Sequence, residues 1–259
     1  MSRSQAGSEG MDEAFGTITL RKMLRALSDI AMPRKCVVCS RTLDLSEDHI
    51  CLECLIDLPL TYFWTQDRNS MAIKYNERIS GNIPDGVEES FANAVSLIYY
   101  GAESSYRAIP RALKYERGFA EGRYFSDMLA GRIAECAWAG SVDLVVPVPL
   151  HPRRRWERGY NQAEVIARRI AARLGVPLSK GCLKRTRNTV SQTGVAVELK
   201  AENVRGAFAV AKTPRASHIL LVDDTFTTGS TLSACHAALR TAYPPSVRIS
   251  VATLSFVGD

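Results

Sequence analysis

Apolar and polar residues follow two rhythms along this chain. Between residues 17 and 31, Ile18, Met23, Leu24, Leu27, Ile30 and Ala31 recur at helical spacing and predict a short amphipathic helix. From about residue 91 short apolar runs alternate with helical patterns. Residues 94–100 (AVSLIYY) read as a strand, and residues 106–115 and 122–136 as helices. Residues 142–148 (VDLVVPV) form a valine-rich run with no polar alternation, as expected of a strand buried on both faces. A helix over 161–174, a buried strand over 219–222, a helix over 230–242 and a last strand over 247–254 complete the series. Strands that alternate with helices predict an α/β fold with a doubly wound, mostly parallel sheet. In such sheets ligands bind beyond the carboxyl ends of the strands.

The same pattern divides the chain. Residues 1–16 are polar and glycine-rich and read as a disordered tail, with Met1 and Met11 as alternative candidates for the native start. Residues 17–60 hold the amphipathic helix and a cysteine-rich module. Residues 61–90 combine Tyr62, Phe63 and Trp64 with a turn-rich stretch over 80–86, and read as a linker that partly packs on the main domain. Residues 91–259 form that domain. With 259 residues, the chain can bury one sizeable core and carry a small module besides. No apolar run reaches the roughly 18–20 residues of a membrane helix, and the first residues contain no apolar signal segment. The expectation is no membrane insertion and a cytoplasmic location.

Charge changes the picture only locally. Lys and Arg exceed Asp and Glu by 33 to 27, a formal net charge of +6. That modest excess permits an anionic ligand without specifying one. The arginines concentrate at Arg153, Arg154, Arg155 and Arg158, with Arg168, Arg169 and Arg173 following.

The sharpest chemical signal is residues 219–231, ILLVDDTFTTGST. An apolar strand runs into Asp223 and Asp224, then a hydroxyl-rich loop, then a helix. Backbone N–H groups at a helix start favour a phosphate. Thr227, Thr228, Ser230 and Thr231 add hydroxyls, and Gly229 admits close backbone approach. Two carboxylates beside a phosphate repel it unless they hold something neutral or cationic, such as a ribose diol or Mg²⁺.

A second signal is CxxC…CxxC, formed by Cys36, Cys39, Cys51 and Cys54. Two such knuckles fit a structural four-cysteine zinc site whose metal would fold a segment too small for its own core. Redox dithiols and an iron–sulfur cluster are the alternatives. Cys136, Cys182 and Cys235 sit in or beside apolar segments and read as buried fillers. His218 and His236 read as structural, His49 as surplus to the four cysteines, and His151 borders the arginine cluster.

Residues 219–231 resemble the phosphoribosyl pyrophosphate (PRPP) motif of type I phosphoribosyltransferases. By that resemblance Asp223 and Asp224 hold the ribose hydroxyls, directly or through Mg²⁺ and water. The loop Thr225, Phe226, Thr227, Thr228, Gly229, Ser230 and Thr231 holds the 5′-phosphate. Two further segments stand in the order this fold class uses. Arg153 and Arg158, with Lys114 as a weaker third, are the candidates for pyrophosphate, since planar guanidinium groups suit phosphate oxygens. Residues 184–208 are polar, long and poor in apolar periodicity, as in a lid; Arg185, Arg187, Gln192 and Thr193 are its candidate contacts.

The combination of the cysteine knuckle, ALKYERG, VVPVPLHPRRRWERGYNQAEVIARRIA, RTRNTVSQT, ENVRGAF and ILLVDDTFTTGST resembles the ComF family from about Pro33 onward. These are bacterial proteins associated with competence and DNA uptake. The one departure is Thr225-Phe226, where an aliphatic pair is frequent. The resemblance implies a cytoplasmic protein that binds PRPP or a related ribose phosphate, with structural Zn²⁺ and with Mg²⁺ accompanying PRPP. It implies a glycosyltransferase reaction on an unidentified, base-like acceptor. The alternative is a non-catalytic accessory protein. Its zinc module would contact single-stranded DNA or a competence partner, with Tyr62, Phe63 and Trp64 beside the knuckle stacking on bases.

Overall fold

The computed structural model describes residue 23 and residues 25–81, 89–101, 103–113, 119–186 and 206–258. The chain divides into two compact units, Met1–Leu58 and Pro59–Asp259.

In the first unit residues 25–31 are helical. Beyond them Arg34 knits the loop together. It hydrogen-bonds the Asp29 carboxylate at 2.8 Å through Nη2 and the backbone carbonyls of Asp44 and Glu47. A short helix, Leu52–Ile56, follows Cys51, whose sulfur accepts the N–H of Cys54 at its first turn.

The second unit is built on a four-stranded sheet. Its strands are β1 (Ala94–Tyr99), β2 (Leu144–Pro147), β5 (His218–Phe226) and β6 (Arg248–Phe256), in the order β1-β6-β5-β2. Every pairing among them is parallel, as the run of valines predicts. The two central strands lie deep in the core: Ile219, Leu220, Leu221, Val222, Val251, Ala252 and Leu254 are fully buried. Strands β3 (Leu183–Arg185) and β4 (Phe208–Val210) form a separate antiparallel pair.

Six helices accompany these strands among the described residues: α1 (Ser70–Ser80), α2 (Ala108–Ala112), α3 (Phe119–Glu135), α4 (Pro152–Arg158), α5 (Gln162–Leu174) and α6 (Ser230–Arg240). Helix α5 packs on β2, β5 and α3, whereas α1 packs on α6 and β1. The sequence explains several boundaries. Asn161 caps α5 by accepting the N–H of Ala163, and Gly175 closes it in the left-handed region at φ 70°.

The stretch over 61–90, read as a linker that partly packs on the main domain, carries a helix that this reading lacks: residues 61–81 lie in the second unit, and α1 turns one face to its core. Asn69 caps α1, and Met71, Ala72, Tyr75 and Ile79 are buried beneath it. Phe63 and Trp64 are also buried, so neither ring is available to stack on bases. Phe63 meets Tyr99 and Phe256 edge-on at 5.3 and 5.5 Å, and Arg132 lies over Trp64. Tyr62 alone of the three is exposed.

Candidate functional site

The acidic pair lies inside β5, not beyond it. The apolar run predicts a strand over 219–222, but β5 continues to Phe226, because β6 offers partners as far as Phe256. Neighbouring residues of an extended strand alternate faces, and the pair divides accordingly. Asp223 lies toward Cys235 of α6 and Arg185 of β3, both of which feel its charge. Asp224 lies toward Tyr100, at the end of β1, and its charge helps burial push the Tyr100 phenol up. The Asp223 carboxylate accepts the N–H of Asp224 at 2.9 Å. Both side chains are half-buried, at the sheet's carboxyl edge and not in the hydrophobic interior.

The loop after the strand turns on one residue. Gly229 adopts φ 71° and leads into α6 without a side-chain cap. The Thr228 and Ser230 hydroxyls are 2.8 Å apart, and Ser230 Oγ accepts a hydrogen bond from Arg78 Nη2 at 2.7 Å. Thr225 shares a hydrogen bond with Ser255 at 3.0 Å. Thr227 is exposed and Thr231 half-buried. Phe226 differs from its neighbours: its ring is buried against Phe256, and its carbonyl accepts the N–H of Val257. Only its backbone belongs to the loop.

Beside β5, strand β2 delivers the arginine-rich helix. Val148 N–H donates to Val222 C=O at 2.8 Å, and Asn161 holds the Val148 carbonyl at 2.9 Å, which fixes where the chain leaves the sheet. His151 is occupied in starting α4, its Nδ1 accepting the N–H of Arg153. Arg153 is exposed and pairs with Glu157 at 3.3 Å; Arg158 is half-buried in the last turn. Arg154 stands beside Arg185, whose guanidinium is depressed first by burial and then by Arg154, with Asp223 opposing. Arg185 also lies 5.3 Å above the Phe208 ring. Arg185 is thus the lid candidate that the fold brings to the acidic pair. Lys114, Arg187, Gln192 and Thr193 lie outside the described residues.

Three residues near this site are absent from the sequence-based candidates: Arg78, Arg154 and Tyr100. Arg154 belongs to the arginine cluster, and its helical spacing with Arg158 is a usable signal. Arg78 is hidden in the stretch that reads as a linker.

The cysteine cluster stands by itself in the first unit. The four sulfurs of Cys36, Cys39, Cys51 and Cys54 lie within 4.8 Å of one another, and those of Cys39 and Cys51 are 3.8 Å apart. A tetrahedral zinc with bonds of about 2.3 Å places its sulfurs about 3.8 Å apart. Backbone N–H groups of Val38 and Cys51 point at the Cys36 sulfur, and that of Cys54 at the Cys51 sulfur. Such donors, with Arg41, bring the Cys51 thiol down to about 7. Burial and the neighbouring thiols push Cys54 up, since four thiolates this close need a cation between them. The donor set and geometry fit a structural zinc module. Cys136, Cys182 and Cys235 are buried apart from it.

Residues 161–254 match the phosphoribosyl transferase domain family. That stretch spans α5 through β6 and includes Asp223, Asp224 and the loop. The chain is 35% identical over 101 residues to Competence protein F of Haemophilus influenzae, covering 38% of this chain and 44% of that protein. It is 35% identical over 91 residues to DNA utilization protein YhgH of Salmonella typhimurium and 34% to that of Escherichia coli K12, in each case 35% of this chain and 40% of the relative. The chain thus matches less than half the length of these curated relatives. Together with the cysteine cluster, the likenesses support the resemblance to the ComF family. No helix among the described residues is long and apolar enough to cross a membrane.

Proposed function

We propose that the second unit binds PRPP at the tip of β5 and transfers its phosphoribosyl group to a base-like acceptor. The observation that carries this is the phosphoribosyl transferase match, which falls on the acidic pair and on a loop whose hydroxyls converge at the start of α6. In this reading the loop from Thr225 to Thr231 holds the 5′-phosphate through backbone N–H groups and hydroxyls. Asp223 and Asp224 hold the ribose hydroxyls and provide oxygen ligands that suit Mg²⁺. When bound, Mg²⁺ supplies neutralisation of pyrophosphate charge. An acceptor nitrogen attacks C1′ as the C1′–O bond to pyrophosphate breaks, and the bonding pair leaves with pyrophosphate. The carboxylates stabilise the cationic character that develops at the ribose, and the arginines stabilise the departing anion. Arg154 and Arg185 join Arg153 and Arg158 as candidates for that role.

The first unit holds structural Zn²⁺ in this reading, and a cytoplasmic setting would keep its thiols reduced. The relatives' names, a competence protein and DNA utilization proteins, support a role in handling DNA, through the protein itself or a partner. The test is a screen of the purified chain with PRPP, Mg²⁺ and a panel of bases, following pyrophosphate release. Release with one base is expected. Tight PRPP binding without release across the panel would select the non-catalytic accessory role. Absence of PRPP binding would overturn the assignment.

A further inference from the structure

We propose that α4 and the adjoining face of α5 form a binding surface for single-stranded nucleic acid, with Trp156 stacking on a base and Arg155, Arg168 and Lys180 meeting the phosphates. The surface uses no residue of the PRPP site, so either reading can fail without the other. The starting observation is Trp156, which is 87% exposed. An indole left in water forgoes the burial through which aromatic rings stabilise a fold. Among the described residues it is the one large apolar side chain of α4 and α5 that stays exposed, whereas Val165, Ile166 and Ile170 turn into the core.

The ring stands among cations. Between residues 152 and 173 the chain has seven arginines and two glutamates, which accounts for five of its six net positive charges. Helix geometry sorts them. Residues two apart on a helix lie on nearly opposite sides. Arg154 lies toward Arg185, which also feels Asp223, so Trp156 is directed away from the acidic pair. Arg155, between the two, reaches toward Glu164 of α5. Its Nη2 is 3.7 Å from Glu164 Oε2, outside hydrogen-bond range. The same carboxylate is met by Arg168 at 3.0 Å and by Lys180 at 2.6 Å. One half-buried acid thus gathers three exposed cations, and the excess positive charge faces solvent beside the indole.

A chain of phosphates with unpaired bases fits both features at once. Single strands are held by a cationic track for the backbone and by aromatic rings on which bases stack. Guanidinium groups suit the phosphate oxygens besides. A duplex keeps its base faces inside its own stack and would leave the ring unused. A protein partner fits less well. Protein interfaces centre on an apolar core with charge at the rim, and a lone indole among cations supplies no such core. Trp156 also takes the place that Phe63 and Trp64 cannot, since those rings are buried.

The test is fluorescence-anisotropy titration of the full chain with a short labelled oligothymidylate, with its duplex on oligoadenylate, and with a labelled polyglutamate peptide. The parent is compared with Trp156→Ala, Trp156→Phe and the double variant Arg155→Gln, Arg168→Gln. Trp156→Ala is expected to weaken oligothymidylate binding about 10-fold, and Trp156→Phe to keep most of the parent's affinity. The double variant is expected to flatten the dependence of log affinity on log salt by about 1.4, the slope carried by two phosphate contacts on a single strand. Melting temperatures should match the parent's throughout, because the altered side chains are exposed. Equal affinity of Trp156→Ala and parent would overturn the proposal, as would a parent that binds no oligothymidylate at low salt. Duplex bound as tightly as single strand would also overturn it, reducing the patch to an unselective cationic face. Preference for polyglutamate would make it a protein-docking surface instead. A parent that binds oligothymidylate but not PRPP would remove the PRPP reading and leave this surface standing.

Discussion

Gly229 backs directly onto the ring of Phe226: a Cβ on Gly229 would lie 2.8 Å from Phe226 Cζ. The ring cannot retreat, because it is buried against Phe256. Gly229 also holds φ 71°, a conformation that side chains other than glycine resist. Gly229→Ala therefore combines backbone strain with overpacking and is expected to destabilise the second unit by about 2–4 kcal/mol. Because the turn sets the start of α6, ribose 5-phosphate affinity should fall too. Urea unfolding and calorimetric titration of the same preparation check both; an unshifted urea midpoint would show that the ring has room to move.

His218 opens β5 at the end of the sheet away from the acidic pair. It is wholly buried, with Nδ1 2.8 Å from Ser141 Oγ and Nε2 2.8 Å from Ser250 Oγ. Burial, aided by Arg248, holds its imidazole at about 4 against an ordinary 6.5. Above pH 6.5 the ring is neutral in both folded and unfolded chains, and stability does not depend on it. Between 6.5 and 4 the unfolded chain takes up a proton that the folded one refuses, so stability falls with acidification. The loss from this group between about pH 7 and 5 is expected to be about 2 kcal/mol. Urea midpoints across that range measure it, and His218→Asn should flatten the dependence. A parent and a variant with parallel pH profiles would refute the assignment.

Much of this was legible in the sequence, for reasons particular residues show. Strand and helix order followed from apolar runs such as residues 142–148 and from the helical spacing over 161–174, which the structure bears out as β2 and α5. The four cysteines announced their cluster through spacing alone. The extent of β5 was hidden because Asp223, Asp224 and Thr225 are polar, and pairing with β6 outweighs their weak strand preference. Helix α1 was hidden by the turn-rich stretch that follows it, although Asn69 and buried Met71, Ala72 and Tyr75 mark its start and face. Among the arginines, position along the chain carries proximity to the site but not direction. Spacing along α4 sets Arg154 and Arg158 on one side and Arg153 with Glu157 on another, and only the fold says which side meets Arg185.

The zinc reading leads to a separable unfolding event. Residues 33–58 bury few large side chains: Leu43, Ile50 and Leu58 accompany Cys36 and Cys51. So small a core does not sustain a fold by itself, and the metal would supply the remainder. Chelation is expected to release a single zinc and to expose this segment to protease while the second unit stays intact. Cys36→Ser should do the same without chelator, since Cys36 is buried and receives two backbone N–H donors. Metal analysis with limited proteolysis decides; a chain that carries no zinc yet resists cleavage here would end the proposal.

Asp224 offers the most direct test of the chemistry. Its side chain is half-buried at the carboxyl edge of the sheet, while its backbone carbonyl accepts from Ser255 Oγ at 3.3 Å and β6 holds the strand on either side. Asp224→Asn keeps the shape and removes the charge proposed to face the ribose and Mg²⁺. The fold gives no reason for it to unfold the domain, so the melting temperature should stay within a few degrees. Turnover of PRPP should fall on the order of 100-fold or more, the scale seen when one preorganised electrostatic contact is lost from a reacting centre. The loss should appear mainly in kcat if the carboxylate acts on the developing cation, and in KM if it only holds the sugar. Full turnover in a folded Asp224→Asn chain would mean that the chemistry does not take place at the tip of β5.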